Sequence, residues 1–160
     1  MWKRKAALSA GALLLLTAAV KANTHVYRVT GSSMAPTLRD GELVISVKSR
    51  RPAKGSIALL RCGSFVLIKR VIALSGDHVR IENTGRVIVN SVPLKEPYLQ
   101  GKLTPEVPLS LTVPNGCIFV LGDNRTNSAD SRSPEVGPLP ESLVFGKAVA
   151  LLGTNGLHLI

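Results

Sequence analysis

Aromatic residues are scarce in this sequence, since Phe, Trp and Tyr make up only 4% of its 160 residues. Hydrophobic residues still make up 45%, which is enough for one domain with a core of Val, Leu, Ile and Ala. The scarcity of aromatic rings argues against base-stacking platforms, and no basic run exceeds three residues. The net charge of +10 therefore suits a protein beside an anionic membrane surface, and no nucleic-acid partner is predicted.

Cysteine is equally scarce. Cys62 and Cys117 are far apart, and neither has a His or Cys partner at metal-ligand spacing. We therefore predict two separate half-buried thiols rather than a disulfide or a zinc site. No metal and no cofactor is predicted.

Charge is absent from residues 6–20, which lie between Lys3-Arg4-Lys5 and Lys21. As a helix, this run spans roughly 22 Å, short of a hydrocarbon core about 30 Å thick, and its length is typical of a cleaved secretory signal. However, Trp2 and the flanking lysines can extend the span. We predict that residues 1–22 are an uncleaved signal-anchor with a single transmembrane helix, which exports the rest of the chain; a cleaved signal is the alternative.

Helical periodicity is absent after this segment, and there are no repeats. The pattern predicts one mostly antiparallel β domain over residues 23–160. Residues 91–116 hold five of the ten prolines and are predicted to be an irregular excursion. The predicted strands cover residues 26–30, 42–47, 56–61, 65–74, 78–81, 86–90, 118–121 and 143–152.

Residues 31–40, here called the serine loop, present a hydroxyl on a constrained bend. Gly31 permits a sharp turn, and Pro36 prevents a helix from continuing through the segment. Ser32 and Ser33 are both candidate nucleophiles at this point. A serine hydroxyl reacts only beside a base, so the rest of the chain has to supply one.

The candidate base is Lys69, in the predicted strand 65–74. Strand alternation places it on one face with Phe65, Leu67, Val71 and Ala73. Full burial can lower a lysine pKa by up to about 3–5 units from about 10.4, which approaches the range of a general base. Arg70, on the opposite face, stays charged and requires a carboxylate.

Residues 122–132, here called the polar loop, are dense in hydrogen-bonding groups. A calcium loop with Asp123, Asn127 and Asp130 as ligands is one interpretation, but two arginines and the missing terminal Glu argue against it. We prefer a rigid polar bracket in which Ser128 holds an amine in place.

Together, these segments resemble the type I signal (leader) peptidases, which are membrane-bound Ser/Lys proteases. The resemblance is carried by Ser-Met-Ala-Pro-Thr-Leu at 33–38, Ile-Lys-Arg-Val-Ile-Ala-Leu at 68–74 and the whole polar loop. It implies that Ser33 is the nucleophile, Lys69 the general base and Ser128 the residue that orients the Lys69 amine. Ser32 would then be a bystander.

The resemblance also implies supporting roles. The Ser33 backbone N–H would hold the oxyanion, and Gly31 stands where some members place a second, side-chain donor. Arg70 would pair with Asp123, and the loop would be braced by Asp123, Asp130 and Arg132. The implied substrates are the signal peptides of exported preproteins, with small residues before the cut, in pockets lined by Val29, Met34, Leu38, Leu67 and Ile68.

The implied location is the bacterial cytoplasmic membrane, with the peptidase domain on the extracytoplasmic face. The Gly-Pro-Leu-Pro sequence at 137–140 is also similar to mitochondrial inner-membrane peptidases, which keeps that membrane as an alternative. Two other functions compete. Self-cleaving repressor peptidases share a Ser/Lys dyad but need a DNA-binding half. An inactive binding subunit of an export or pilus-assembly system would keep the fold without the chemistry.

Overall fold

The computed structural model describes residues 23–153 and 156–160. The predicted signal-anchor, residues 1–22, therefore lies outside the described residues. Across the described ranges, no helix has the length and hydropathy needed to span a bilayer.

The domain is built from two antiparallel β-sheets, which confirms the predicted mostly antiparallel β class. Two short 3₁₀ turns cover Pro97–Leu99 and Glu141–Leu143. In chain order the strands are β1 (Thr24–Arg28), β2 (Leu43–Lys48), β3 (Ile57–Cys62), β4 (Phe65–Leu74), β5 (His78–Ile81), β6 (Val87–Val89), β7 (Val92–Pro93), β8 (Leu109–Thr112), β9 (Cys117–Leu121), β10 (Leu139–Pro140), β11 (Val144–Gly153) and β12 (Gly156–Leu159).

The large sheet has the order β1-β2-β11-β3-β4-β9-β10, and β12 pairs with the end of β11. The small sheet has the order β7-β6-β5-β8. Strand β4 lies inside the large sheet, between β3 and β9, so a side chain near its middle is enclosed by neighbours on both sides. This is where the chain places Lys69, which pairs with Ala58 across the sheet.

Three groups of buried apolar residues form the core. One joins the two sheets through Phe119 and Leu121 of β9 and Val79 of β5. A second anchors the serine loop, because Met34 and Leu38 pack there with Val44 and Leu59 of the large sheet. The third fills in around Leu60, Val71 and Val120. Phe119 is the single aromatic residue among the buried core residues of the described ranges, and the rest are mainly Val, Leu, Ile and Ala, which agrees with the composition.

Two predictions about local structure are wrong. The segment 91–116 is not irregular throughout, because Leu109–Thr112 forms β8 and pairs with β5; the alternating pattern of this strand was obscured by the surrounding prolines. The predicted alternation along β4 also fails beyond Val71. The register with β9 shifts between Val71 and Ala73, so Ala73 packs in the same cluster as Ile72. The two cysteines are free and partly buried, as predicted.

Candidate active site

The serine loop connects β1 to β2. A hydrogen bond joins its two ends, and two of its side chains pack into the core. Gly31 has φ +83°, a conformation that favours glycine, and its N–H donates to Asp40 Oδ1 at 2.8 Å. Met34 and Leu38 are 2% and 0% exposed, so their side chains hold the bend against the core. The peptide bond between Ala35 and Pro36 is cis. Ser33 is left half-buried at the surface of this anchored bend.

Lys69 meets the serine loop from the sheet. Its side chain is only 4% exposed overall, and its Nζ lies 2.7 Å from Ser33 Oγ. Burial is the main cause that lowers the pKa of the Lys69 amine, and the positive charge of Arg132 acts in the same direction. The carboxylates of Asp130 and Asp123 oppose this by stabilising the ammonium form. The result is an amine that gives up its proton more readily than a solvent-exposed lysine, in contact with a hydroxyl.

Asp123, at the start of the polar loop, is bound from two elements. Arg70 donates to both of its carboxylate oxygens, from Nε at 2.8 Å and from a terminal nitrogen at 2.6 Å. Thr37 of the serine loop donates its hydroxyl to the same carboxylate at 2.5 Å. Asp123 therefore ties the serine loop, β4 and the polar loop together beside Lys69.

Asp130 forms the second anchor of the polar loop. Its oxygens accept from Arg132 at 2.9 Å and from the Gly122 N–H at 2.9 Å. Burial raises the pKa of the Asp130 carboxyl, but the contacts with Arg132 and Gly122 outweigh it and hold the pKa below its usual value. Arg70 binds the Asp123 carboxylate and Arg132 binds the Asp130 carboxylate. These contacts argue against the calcium loop, because its two carboxylate ligands are already paired.

Gly122 brings the polar loop against Ser33. A Cβ at this position would overlap the Ser128 hydroxyl and come within 2.5 Å of the Ser33 carbonyl oxygen. Ser128 Oγ is buried, and no contact of it has hydrogen-bond geometry within the described residues, although the hydroxyl helps to lower the pKa of Asp130. The expected hydrogen bond from Ser128 to the Lys69 amine is therefore not formed here, and its orienting role stays a prediction.

A cleft of about 360 Å³ with a mixed polar and apolar lining opens beside Ser33 and Lys69. Four of the five predicted pocket residues line it: Val29, Met34, Leu67 and Ile68. Leu38 does not line the cleft, which corrects the prediction made for this residue. Its side chain is fully buried in the core beneath the serine loop. Leu38 supports the floor of the site instead.

Sequence reasoning missed several contacts that fix the site. Ser32, expected to be a bystander, is held by the polar loop: Asn124 Nδ2 donates to its carbonyl at 3.1 Å and Asn127 Nδ2 to its hydroxyl at 2.9 Å. The Asn124 N–H also donates to the Ser33 carbonyl at 3.0 Å. The density of amides in the polar loop was the available signal. It did not indicate that these groups hold the serine loop.

The remaining missed contacts come from residues 94–108, here called the β7–β8 connection. Arg70 lies over the Tyr98 ring, 4.0 Å from its centroid, and the Tyr98 hydroxyl donates to Glu96 at 2.7 Å. Burial, reinforced by Glu96, raises the pKa of Tyr98. No motif in the sequence marks this connection as part of the site.

A β-sheet domain that brings a serine hydroxyl against a buried amine beside an open cleft has the arrangement of a serine hydrolase. Comparison with known protein families identifies the kind of hydrolase. The family described as "Signal peptidase, peptidase S26" matches residues 2–152 of this chain. The chain belongs to the signal peptidase S26 family and is a serine endopeptidase.

Individual relatives agree with this assignment. The chain is 31% identical over 132 residues to signal peptidase I U of Bacillus subtilis, which covers 74% of this chain and 70% of the relative. It is 38% identical over 128 residues to signal peptidase I of Bacillus caldolyticus, which covers 66% and 68% respectively. Thylakoidal processing peptidase 1 of Arabidopsis thaliana is 31% identical over 138 residues, covering 76% of this chain but 39% of the relative.

A solved signal peptidase I from Enterococcus faecalis V583 has the same fold. It aligns with a TM-score of 0.51 and 29% sequence identity, and covers 59% of this chain and 93% of that chain. The family resemblance inferred from the three sequence segments is therefore confirmed.

Proposed function

We propose that the chain removes signal peptides from exported preproteins and cleaves after small residues, with Ser33 as nucleophile and Lys69 as general base. The observation that carries this proposal is the 2.7 Å contact between Ser33 Oγ and a buried Lys69 Nζ. A buried amine loses its proton more readily than an exposed one. On the neutral amine, the Ser33 hydroxyl donates this hydrogen bond and can pass its proton to Nζ.

The reaction then proceeds in two stages. Ser33 Oγ attacks the scissile carbonyl while Lys69 takes the hydroxyl proton, and a tetrahedral oxyanion forms. The Ser33 backbone N–H is the proposed donor to that oxyanion, since Gly31 offers no side-chain donor. The Lys69 ammonium protonates the amine of the departing mature protein, which leaves an ester on Ser33. Lys69 then deprotonates a water that hydrolyses this ester.

The polar loop is proposed to hold this arrangement. Asp123, Arg70 and Thr37 fix the serine loop relative to β4. Ser128, whose hydroxyl is buried against Gly122, is proposed to orient the Lys69 amine once substrate excludes water. The cleft lined by Val29, Met34, Leu67 and Ile68 would take the small residues before the cut.

The proposed setting is a membrane. Residues 1–22 would anchor the chain, and the peptidase domain would work on the extracytoplasmic face of a bacterial cytoplasmic membrane, with the mitochondrial inner membrane as the alternative. An excess of ten basic over acidic charges suits a surface of anionic lipid.

The test is cleavage of one preprotein by the full-length, detergent-solubilised chain, followed by sequencing of the new N-terminus. Ser33→Ala and Lys69→Ala should each abolish cleavage without lowering the melting temperature. Ser32→Ala is the matched control: it removes the neighbouring hydroxyl and one contact to Asn127, so we expect a reduced but measurable rate. Full activity of Ser33→Ala would refute the proposed nucleophile.

A serine-directed β-lactam-type probe tests which hydroxyl reacts. The probe should label the wild-type chain and Ser32→Ala but not Ser33→Ala. Equal labelling of all three would show that the reactive group is not Ser33 and would refute the proposed nucleophile.

A further inference from the structure

Two arginines of the polar loop are each held by a glutamate from outside the loop. Glu96 pairs with Arg125, and the two side chains are about 5% exposed. Glu106 pairs with Arg132, with side chains 18% and 13% exposed. Both glutamates belong to the β7–β8 connection, which is a separate segment of the chain from the serine loop and from β4. Breaking a partly buried pair of this kind leaves an uncompensated charge.

The small sheet fixes the position of Glu106. The Glu106 N–H donates to the Asn83 carbonyl at 3.0 Å, in the turn between β5 and β6. In the same turn, Gly85 has φ +83°, and a Cβ there would overlap the Thr104 carbonyl oxygen. The connection therefore lies directly on the backbone of this turn, two residues before Glu106.

The two pairs differ in their influence on the reacting amine. Arg132 binds Asp130 on one side and Glu106 on the other, and it also donates to the Arg125 carbonyl at 2.9 Å. Three charged groups of the polar loop act on Lys69: Asp130 and Asp123 favour its ammonium form, and Arg132 disfavours it. Arg125, which pairs with Glu96, is not one of these groups.

We propose that Glu106 is a positioning residue for the peptidase reaction, which holds Arg132 against Asp130 and balances its charge beside the Lys69 amine. This inference rests on the proposed role of Lys69 as the general base. Through Glu106, the small sheet would set both the place of the polar loop and the charge that Lys69 experiences.

The sign of the effect follows from the charges. Replacing Glu106 by glutamine keeps the shape of the side chain but leaves the positive charge of Arg132 only partly balanced. The Lys69 ammonium is then less favoured, and the neutral base is present at lower pH. We expect the acid limb of the rate profile to move down by about half a pH unit, the scale of one charge acting through a partly solvated protein.

The experiment compares kcat/KM against pH for three variants of the full chain on one preprotein, with a melting temperature for each. Glu106→Gln should lower the apparent pKa. Glu96→Gln is the matched control: it breaks the neighbouring pair and lowers the melting temperature, but should leave the apparent pKa unchanged. Glu106→Asp keeps the charge with a shorter reach, so its rate should fall while its profile stays in place.

Three outcomes would overturn the inference. Glu106→Gln and Glu96→Gln could lower the rate with the same profile, which would make both glutamates merely structural. The Glu106→Gln profile could move to higher pH, which would mean that Arg132 leaves Asp130. A displaced profile in Glu106→Asp would also contradict it, even if Glu106→Gln cannot be purified. A wild-type rate that does not rise with pH would instead refute the proposed base, and with it the role of Glu106 that rests on it.

Discussion

The two sheets contribute to the site in different ways. The large sheet carries Lys69, bears the serine loop between β1 and β2, and lines the cleft. Within the described residues, the small sheet carries none of the groups proposed to react. It supports the β7–β8 connection, whose glutamates bind the arginines of the polar loop. On the proposed roles, one sheet supplies the reacting groups while their orientation and charge depend on the other. This difference can be tested by damaging each sheet separately.

The largest expected effect comes from Lys69→Met in the large sheet. Cleavage should fall by roughly 10²–10⁴-fold, the usual contribution of a general base. At neutral pH the variant should nevertheless be more stable, because a buried amine that has to be desolvated is replaced by an apolar side chain of similar length. Urea unfolding at pH 7 measures this, and a less stable Lys69→Met would contradict it.

The pH dependence of stability supplies a second measurement on the same variant. Burial lowers the folded-state pKa of Lys69, so between that value and about 10.4 the unfolded chain binds more protons than the folded chain. The stability of the wild-type chain should therefore rise with pH across this window, and its cleavage rate should rise as the amine deprotonates. Lys69→Met should lack this part of the stability increase.

Gly122→Ala is expected to have the next largest effect. The added Cβ would overlap Ser128 and crowd the Ser33 carbonyl, which displaces the two loops that meet at Ser33. A shift of about 1 Å can cost roughly 10²-fold in rate. Gly146→Ala in β11 of the large sheet is the matched control, since a Cβ there would make only ordinary contacts of 3.5 Å or longer. Equal cleavage rates for the two variants would show that the close approach at Gly122 is not needed.

Gly85→Ala tests the small sheet. The substitution forces a side chain into a positive-φ turn and against the Thr104 carbonyl, so the β7–β8 connection should move and carry Glu106 with it. Gly76→Ala has nearly the same φ, +82°, but open space for its Cβ, and we expect it to cost about 1–2 kcal/mol of stability. Gly85→Ala should cost more and should lower kcat severalfold. The same stability and rate in both variants would mean that only φ matters.

The sequence singled out Ser33 and Lys69, which the fold brings into contact, because the signals for both residues are local. A serine on a Gly/Pro-constrained bend and a lysine inside an apolar strand are visible in neighbouring residues, and the resemblance linked the two. The β4 irregularity was not visible, since a bulge depends on the register with β9. The sequence also did not indicate roles for Glu96, Tyr98 and Glu106. A glutamate among prolines is typical of a solvated loop, and only the fold places arginines beside these glutamates.

The smallest expected effect is at the junction between the sheets, where Asp77 is 9% exposed. Its carboxylate accepts from the Leu74 N–H at 2.7 Å, Lys54 at 2.8 Å and Asn90 at 2.6 Å. It therefore joins the end of β4 to the residue that follows β6. Burial raises the pKa of the Asp77 carboxyl, but these hydrogen bonds outweigh it and hold the pKa below its usual value.

Because the folded-state pKa of Asp77 is lowered, its contribution to stability is present above the unfolded value of about 3.9 and is lost as the pH falls through the folded value. Asp77→Asn should cost about 1.5–3 kcal/mol at pH 7, the range for charged hydrogen bonds, and the difference from the wild-type chain should shrink below about pH 4. Glu82→Gln, in the exposed pair with Arg80, is the control and should change stability little. Cleavage should stay within about twofold of wild type, because both sheets keep their own contacts to the site; a loss as large as that of Gly85→Ala would mean that the junction itself positions the polar loop.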